Sequence, residues 1–207
     1  MGAPINIEQN KIGEAVGSQD QVATAYGGFN YTEFSKENEF SVYPFKFIKE
    51  NSNLLDIGSY PGGWSQVASN IILNGKILAV DIKNMDPIKN VKYIKGDILN
   101  EDTKKKVIKS LNSKLDVIIS DMAANTTGNK ALDSIRTNQL CADTINFSKN
   151  TLKPKGVLIS KLFMGEDFIE VKNLAKSLFK KINFFKPESS RSESKETYLH
   201  CETLKTL

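Results

Sequence analysis

The chain is poor in the residues that metal and redox chemistry most often draw on. It has two cysteines and one histidine in 207 residues. Cys141 and Cys201 stand outside any Cys-x-x-Cys spacing and read as two reduced thiols of a cytosolic protein. His200 alone leaves almost nothing for a His-based metal site or a His-dependent triad, so no metal is expected. Of the 28 basic residues only Arg136 and Arg191 are arginine. No apolar run reaches the ~18 residues that a membrane span needs. The opening Met1-Gly2-Ala3-Pro4-Ile5-Asn6 has neither a charged n-region nor a long apolar h-region, so no secretory signal is expected and the location is read as cytoplasmic.

What is present is an ordinary globular balance, 40% hydrophobic and 25% charged, which excludes wholesale disorder and a collagen-like or disulfide-stapled chain. The length fits one domain with room for an extension. Charge divides it. Residues 1–45 hold Lys11 and Lys36 against Glu8, Glu14, Asp20, Glu33, Glu37 and Glu39, a net of −4, so the remainder carries +8 of the overall +4. A basic body favours a polyanionic partner such as RNA, although scattered lysines also serve solubility alone.

From residue 53 onward strands and helices alternate. Asn53–Ile57, Lys76–Asp81, Val91–Asp97, Leu115–Asp121 and Gly156–Phe163 read as strands. Residues 62–73, 101–112, 134–152 and 167–180 read as helices, and two closing strands fall near 181–186 and 196–203. The pattern predicts an α/β fold with a doubly wound sheet of seven mostly parallel strands and helices on both faces. Ligands of such sheets bind at the carboxyl ends of the strands, near the switch point. Asp56, Asp81, Asp97 and Asp121 each end or nearly end an apolar strand. A single such aspartate is usually a cap or turn residue; four in one structural place point to a polar ligand site.

The segment Asp56-Ile57-Gly58-Ser59-Tyr60-Pro61-Gly62-Gly63-Trp64-Ser65-Gln66 links the first strand to the first helix. Gly58, Gly62 and Gly63 allow backbone to approach a ligand, and a helix start offers unsatisfied N–H donors. The spacing is neither G-x-G-x-x-G nor a P-loop, which argues against NAD and ATP. Asp81 suits a ribose diol, because a carboxylate can accept from two hydroxyls. Trp64 reads equally well as core.

These segments, together with Met85-Asp86-Pro87, Gly96-Asp97, Ser120-Asp121-Met122-Ala123, Lys161-Leu162-Phe163, Lys186-Pro187 with Ser189-Ser190-Arg191, and Ser194-Lys195-Glu196-Thr197-Tyr198, resemble the FtsJ-type (RlmE-like) ribosomal-RNA 2′-O-methyltransferases, in order, from about residue 46 to 203. The resemblance implies a Rossmann-like domain over residues 46–207, S-adenosylmethionine as cofactor, and a ribose in RNA as target. That target would be a uridine of large-subunit (23S) ribosomal RNA. It implies a monomer acting on ribosomal RNA or the large subunit. By the same resemblance Gly58, Gly62, Trp64, Asp81, Asp97 and Asp121 line the cofactor site, with Asp81 at the ribose and Asp97 on the adenine side.

A 2′-hydroxyl is a weak nucleophile, so a protein must align it with the methyl donor and help remove its proton. A lysine can take that proton only in its neutral form, which burial or a neighbouring cation favours. Lys161 lies on an otherwise apolar strand; it is either an edge residue turned to water or a functional amine, and Asp121 ends the neighbouring strand. The family's Lys-Asp-Lys-Glu tetrad is similar: Asp121, Lys161 and Glu196 match its last three members, with Lys161 as proton acceptor.

The first tetrad lysine has no match, since Glu37 stands at its place and Lys46 lies too near Asp56. The family's basic N-terminal arm is replaced by an acidic segment. Val16-Gly17-Ser18-Gln19-Asp20-Gln21, Ala25-Tyr26-Gly27-Gly28-Phe29-Asn30 and Glu33-Phe34 instead resemble an internal stretch of GHMP-type sugar (heptose-phosphate) kinases, in which the position of Asp20 lies at the active site. The kinase phosphate loop is absent, so phosphoryl transfer is not expected. Residues 1–45 are read as a foreign segment joined near residue 45. The expected activity is RNA 2′-O-methylation. The alternatives are a cofactor-binding module of impaired turnover, and a methyltransferase for a small molecule or protein.

Overall fold

Central strands of a parallel sheet are covered on both faces and so read as nearly unbroken apolar runs. Three segments of this chain have that character, and they form the middle of the sheet. The structure, a computed structural model, describes residues 30–34, 40–44, 47–165, 167–186 and 195–205. Strands β1 (Asn30–Phe34) and β2 (Phe40–Pro44) pair antiparallel, from Asn30↔Pro44 to Phe34↔Phe40. The sequence pattern did not predict this hairpin. Asp20, Glu37 and Lys46 lie outside the described residues, as does Arg191.

The seven-stranded sheet has the order β5-β4-β3-β6-β7-β9-β8. Its strands are β3 (Asn53–Ile57), β4 (Lys76–Asp81), β5 (Val91–Lys95), β6 (Leu115–Ser120), β7 (Leu152–Phe163), β8 (Phe179–Phe185) and β9 (Glu196–Leu204). Strands β3 to β7 run parallel, and β9 pairs antiparallel with both β7 and β8. The helices are α1 (Gly63–Ile71), α2 (Glu101–Leu111), α3 (Lys130–Thr151) and α4 (Phe168–Leu178). The chain leaves β3 outward through β4 and β5 and returns to β6, so the switch point lies between β3 and β6.

Alternation along each strand sorts the side chains onto two faces. Leu54, Ile77, Val117 and Ile119 pack with Ala68 of α1 and with Ile48 and Ile72 on one face. Leu55, Ile57, Leu78, Val80, Ile118 and Leu158 pack on the other, against α2, α3 and α4 through Val107, Cys141, Ile145 and Val171. A third cluster of Val157, Ile159 and Tyr198, with Phe47, Trp64 and Phe185 against it, extends the α1 face toward β9. Cys141 and Cys201 are both free and buried.

Several boundaries differ from the sequence reading, among them β8, which starts at Phe179 inside the segment read as helix 167–180, and three of the differences are set locally. Helix α3 begins at residue 130 instead of 134, because Asn129 caps it by accepting from the N–H groups of Ala131 and Leu132. Strand β7 begins at Leu152, directly where α3 ends, rather than at Gly156. Strand β5 stops at Lys95, and Asp97 instead forms a turn in which its Oδ1 accepts from the Leu99 N–H at 2.9 Å. Among the described residues no helix is long and apolar enough to cross a membrane.

Candidate active site

Period-two alternation has a consequence for the carboxylates. Asp56 on β3, Asp81 on β4 and Asp121 beyond β6 share the strand parity that faces α1, as do Lys161 on β7 and Glu196 on β9. The sheet thus delivers four carboxylates and one amine to the carboxyl rim of a single face.

The loop after β3 requires glycine at two places. Gly58 has φ +73°, and a Cβ there would lie 2.8 Å from Met122 Cγ and 3.0 Å from the Met122 backbone nitrogen. Gly62 has φ +120°, and its Cβ would meet Ile88 Cδ1 at 2.7 Å and Met85 Sδ at 3.2 Å. Helix α1 then starts without a side-chain cap. Asp81 is held in one orientation: its Oδ2 accepts from the Tyr60 N–H at 2.9 Å and its Oδ1 from the Lys83 N–H at 2.8 Å. The Tyr93 hydroxyl donates to the backbone oxygens of Asp81 and Lys83. On the opposite side of the rim, an apolar slot is lined by Ile57, Ile98, Leu99, Met122 and Phe147, with Lys104 and Asp143 also contributing. Asp97 sits in the turn that carries Ile98 and Leu99.

Asp56 lies beneath this loop with no exposed surface. Its Oδ2 accepts from the Ser65 hydroxyl at 2.6 Å, while its Oδ1 has no hydrogen-bond partner among the described residues. Burial, with smaller contributions from the charges of Asp121 and Asp81, pushes its carboxyl up to about 7.

The second group centres on Lys161. Lys161 lies one residue past the last β6–β7 rung and pairs with β9, and its side chain turns to the Asp121 and Glu196 carboxylates rather than to water. Its side chain is 13% exposed, and Nζ stands 2.8 Å from Asp121 Oδ1 and 3.7 Å from Glu196 Oε1. The Tyr198 hydroxyl donates to the same Asp121 oxygen at 2.8 Å and reaches Glu196 Oε1 at 3.4 Å. Burial, and then the two carboxylates, push that hydroxyl well above the usual phenol range, so it remains a neutral donor. Lys161 Nζ lies 5.8 Å from the Tyr198 ring centroid, and Trp64 from α1 meets the same ring at 5.9 Å. Trp64 therefore bridges the glycine loop and the Lys161 cluster.

The structure brings Asp121, Lys161 and Glu196 together as one network, and Gly58, Gly62 and Asp81 together as a second, adjacent one. Asp97 stands apart from both, beside the apolar slot. Sequence reasoning gave no role to Tyr198, Ser65 or Met122. Tyr198 was findable, since two residues beyond Glu196 on a strand is the same face. Ser65 and Met122 carry no signal in one dimension, because their importance comes from what the loop and the β6 exit press against them.

The element order, the switch point and the carboxylate rim define the Rossmann-like fold of S-adenosylmethionine-dependent methyltransferases. A family model described as FtsJ-like methyltransferase matches residues 40–204, and the chain belongs to that family. It is an enzyme of the methyltransferase class. It is 42% identical over 161 residues to the ribosomal RNA large subunit methyltransferase E of Pelagibacter ubique (strain HTCC1062), covering 78% of this chain and 79% of that one. Against the protein of the same name from Rickettsia akari (strain Hartford) the identity is 45%, covering 75% and 71%. A crystal structure from Plasmodium falciparum, described as a ribosomal RNA methyltransferase, superposes with a TM-score of 0.67 at 32% identity, over 76% of this chain and 88% of that one. The Methanococcus jannaschii fibrillarin pre-rRNA processing protein shares the fold, with a TM-score of 0.57 at 15% identity.

Proposed function

We propose that the chain transfers the methyl group of S-adenosylmethionine to a ribose 2′-hydroxyl of ribosomal RNA, with a uridine of the large subunit as the target. It does so as a cytoplasmic monomer whose catalytic domain is residues 46–207. The observation that carries this reading is one partly buried amine, Lys161, held between two carboxylates on the sheet face that also bears Asp81 and the glycine loop.

The residues present fit the cofactor. Gly58 and Gly62 let the loop after β3 pack tightly on Met122 and on Met85 and Ile88, which sets the loop backbone beside Asp81. Asp81 uses one lone pair of each oxygen on backbone N–H groups and keeps others for a ribose diol. Asp97 lies in the turn after β5, at the same rim as Asp81, where the family resemblance places the adenine side of the cofactor. Bound S-adenosylmethionine supplies a methyl carbon already activated by its sulfonium charge. The protein's work is alignment, worth ~7–11 kcal/mol in favourable cases, and proton removal, worth roughly 10²–10⁴-fold. In its neutral form Lys161 Nζ receives the proton of the 2′-hydroxyl and becomes an ammonium that Asp121 and Glu196 stabilise. Asp121 and Glu196 fix where Nζ points, and the Tyr198 hydroxyl fixes Asp121. The basic body, with a net charge of +8 over residues 46–207, draws in the RNA.

The test is single-turnover methyl transfer from labelled cofactor to ribosomal RNA or large subunits. Lys161→Ala lowers the rate constant by roughly 10²–10⁴-fold, the range of a lost general base. A full rate in that variant contradicts the assignment. Cofactor binding by calorimetry without any transfer, in the unaltered chain, would mark it as the impaired module.

A further inference from the structure

We infer that Asn138 is a positioning residue for methyl transfer, standing in for a missing strand beside Lys161. The inference rests on the reading of Lys161 as proton acceptor. The parallel pairing of β6 with β7 ends at the rung Ser120↔Ser160. Beyond it the chain after β6 stays bonded to β3 through Asp121 but no longer pairs with β7, and Lys161, Leu162 and Phe163 are paired with β9, opposite Tyr198, Thr197 and Glu196. The Met164 N–H donates to the Lys195 carbonyl at 2.7 Å, on the β9 side. Alternation therefore turns the N–H and C=O of Phe163 the other way, toward the position where β6 no longer pairs.

Asn138 of α3 occupies that position. Its Nδ2 donates to the Phe163 carbonyl at 3.0 Å, and its Oδ1 accepts from the Phe163 N–H at 2.8 Å. One side-chain amide thus supplies both bonds that a neighbouring strand would make. The residue before it acts on the other exit: Thr137 Oγ1 accepts from the Ala124 N–H at 3.2 Å, in the loop that follows Asp121. Asn138 is 1% exposed and Thr137 is fully buried. Buried polar groups in a helix interior are costly unless bonded, and these two are bonded to the exits of the strands that carry Asp121 and Lys161. Phe163 lies directly opposite Glu196, so the clamp sets the register of the rung that places Glu196 beside Lys161. Asn138 touches none of the three; it acts through the last residues of β7.

The experiment compares Asn138→Ala, Asn138→Asp and Lys161→Ala in single-turnover methyl transfer to ribosomal RNA at pH values from 5.5 to 8.5, with cofactor affinity measured by calorimetry on the same preparations. Asn138→Ala is expected to lower the rate constant at least tenfold, to leave cofactor affinity within twofold, and to displace the pH–rate profile. Asn138→Asp keeps the acceptor, but it can donate to the Phe163 carbonyl only when protonated. Its rate relative to the unaltered enzyme at the same pH is therefore expected to recover at least fivefold on acidification. The inference is overturned if Asn138→Ala keeps its rate within twofold. It is also overturned if cofactor affinity and rate fall together while Asn138→Asp shows no recovery at low pH. Full activity in Lys161→Ala would remove the underlying reading as well. An inactive Lys161→Ala beside a fully active Asn138→Ala would remove this inference alone.

Discussion

Asp56 is a carboxyl group with no exposed surface, one hydroxyl donor at 2.6 Å and a second oxygen without a partner among the described residues. Burial raises it from 3.8 in the unfolded chain to about 7. Between those values the folded protein holds a proton that the unfolded chain has released, so stability falls as pH rises toward 7 and then levels off. From pH 5.5 to 7 this is 1.5 units, or about 2 kcal/mol at ~1.36 kcal/mol per unit. Asp56→Asn can still accept from Ser65 and does not titrate. In thermal unfolding of the cofactor-free protein over that interval, the unaltered chain should lose about 2 kcal/mol more than the variant, since the opposing contribution of His200 is common to both. Equal pH dependence in the two proteins would contradict the buried-carboxyl account. The same scale explains why Tyr198 escaped sequence reasoning while Lys161 did not. A lysine in an apolar run is conspicuous, whereas a tyrosine on a strand is ordinary until its hydroxyl is found 2.8 Å from Asp121.

At the scale of elements, the loop between β3 and α1 separates glycines that are required from one that is not. Gly58→Ala places a methyl 3.0 Å from the Met122 backbone nitrogen at a φ of +73°, and backbone cannot move aside as a side chain can. Gly63→Ala meets nothing within 4 Å. Calorimetry should find cofactor affinity reduced at least tenfold in Gly58→Ala and within threefold in Gly63→Ala; equal effects would contradict the role given to the loop. Strands β3, β4 and β6 were legible to within a residue, because burial on both faces leaves an unbroken apolar run bounded by polar residues. The start of α3 was not. Its first turns bury Asp133, Ser134, Thr137 and Asn138, so no apolar stripe announces the helix. Asp133, Thr137 and Asn138 bond to Thr127, Ala124 and Phe163, just beyond the neighbouring strands, which one dimension does not display. The β1–β2 hairpin fell in a segment whose resemblance to a kinase fragment carried no expectation of a strand pair.

For the whole molecule, the division of charge is the feature that the RNA reading uses. A net of +8 over residues 46–207 attracts a polyanion, and lysines that contact phosphates release counterions on binding. Binding to a single-stranded RNA fragment should weaken with added salt along a logarithmic slope of about −2 or steeper, which corresponds to three or more contacts at about −0.7 each. A flat response in a fluorescence-anisotropy titration would favour a small-molecule or protein substrate instead. The central claim is that Lys161 and its two carboxylates direct a methyl group to a ribose oxygen. It is tested most directly by digesting labelled product RNA to nucleosides and locating the label by mass spectrometry. The account predicts the methyl on the 2′-oxygen of a ribonucleoside, with uridine as the carrier. A methyl group found on a base, or no label in the RNA while the cofactor is bound, would contradict it.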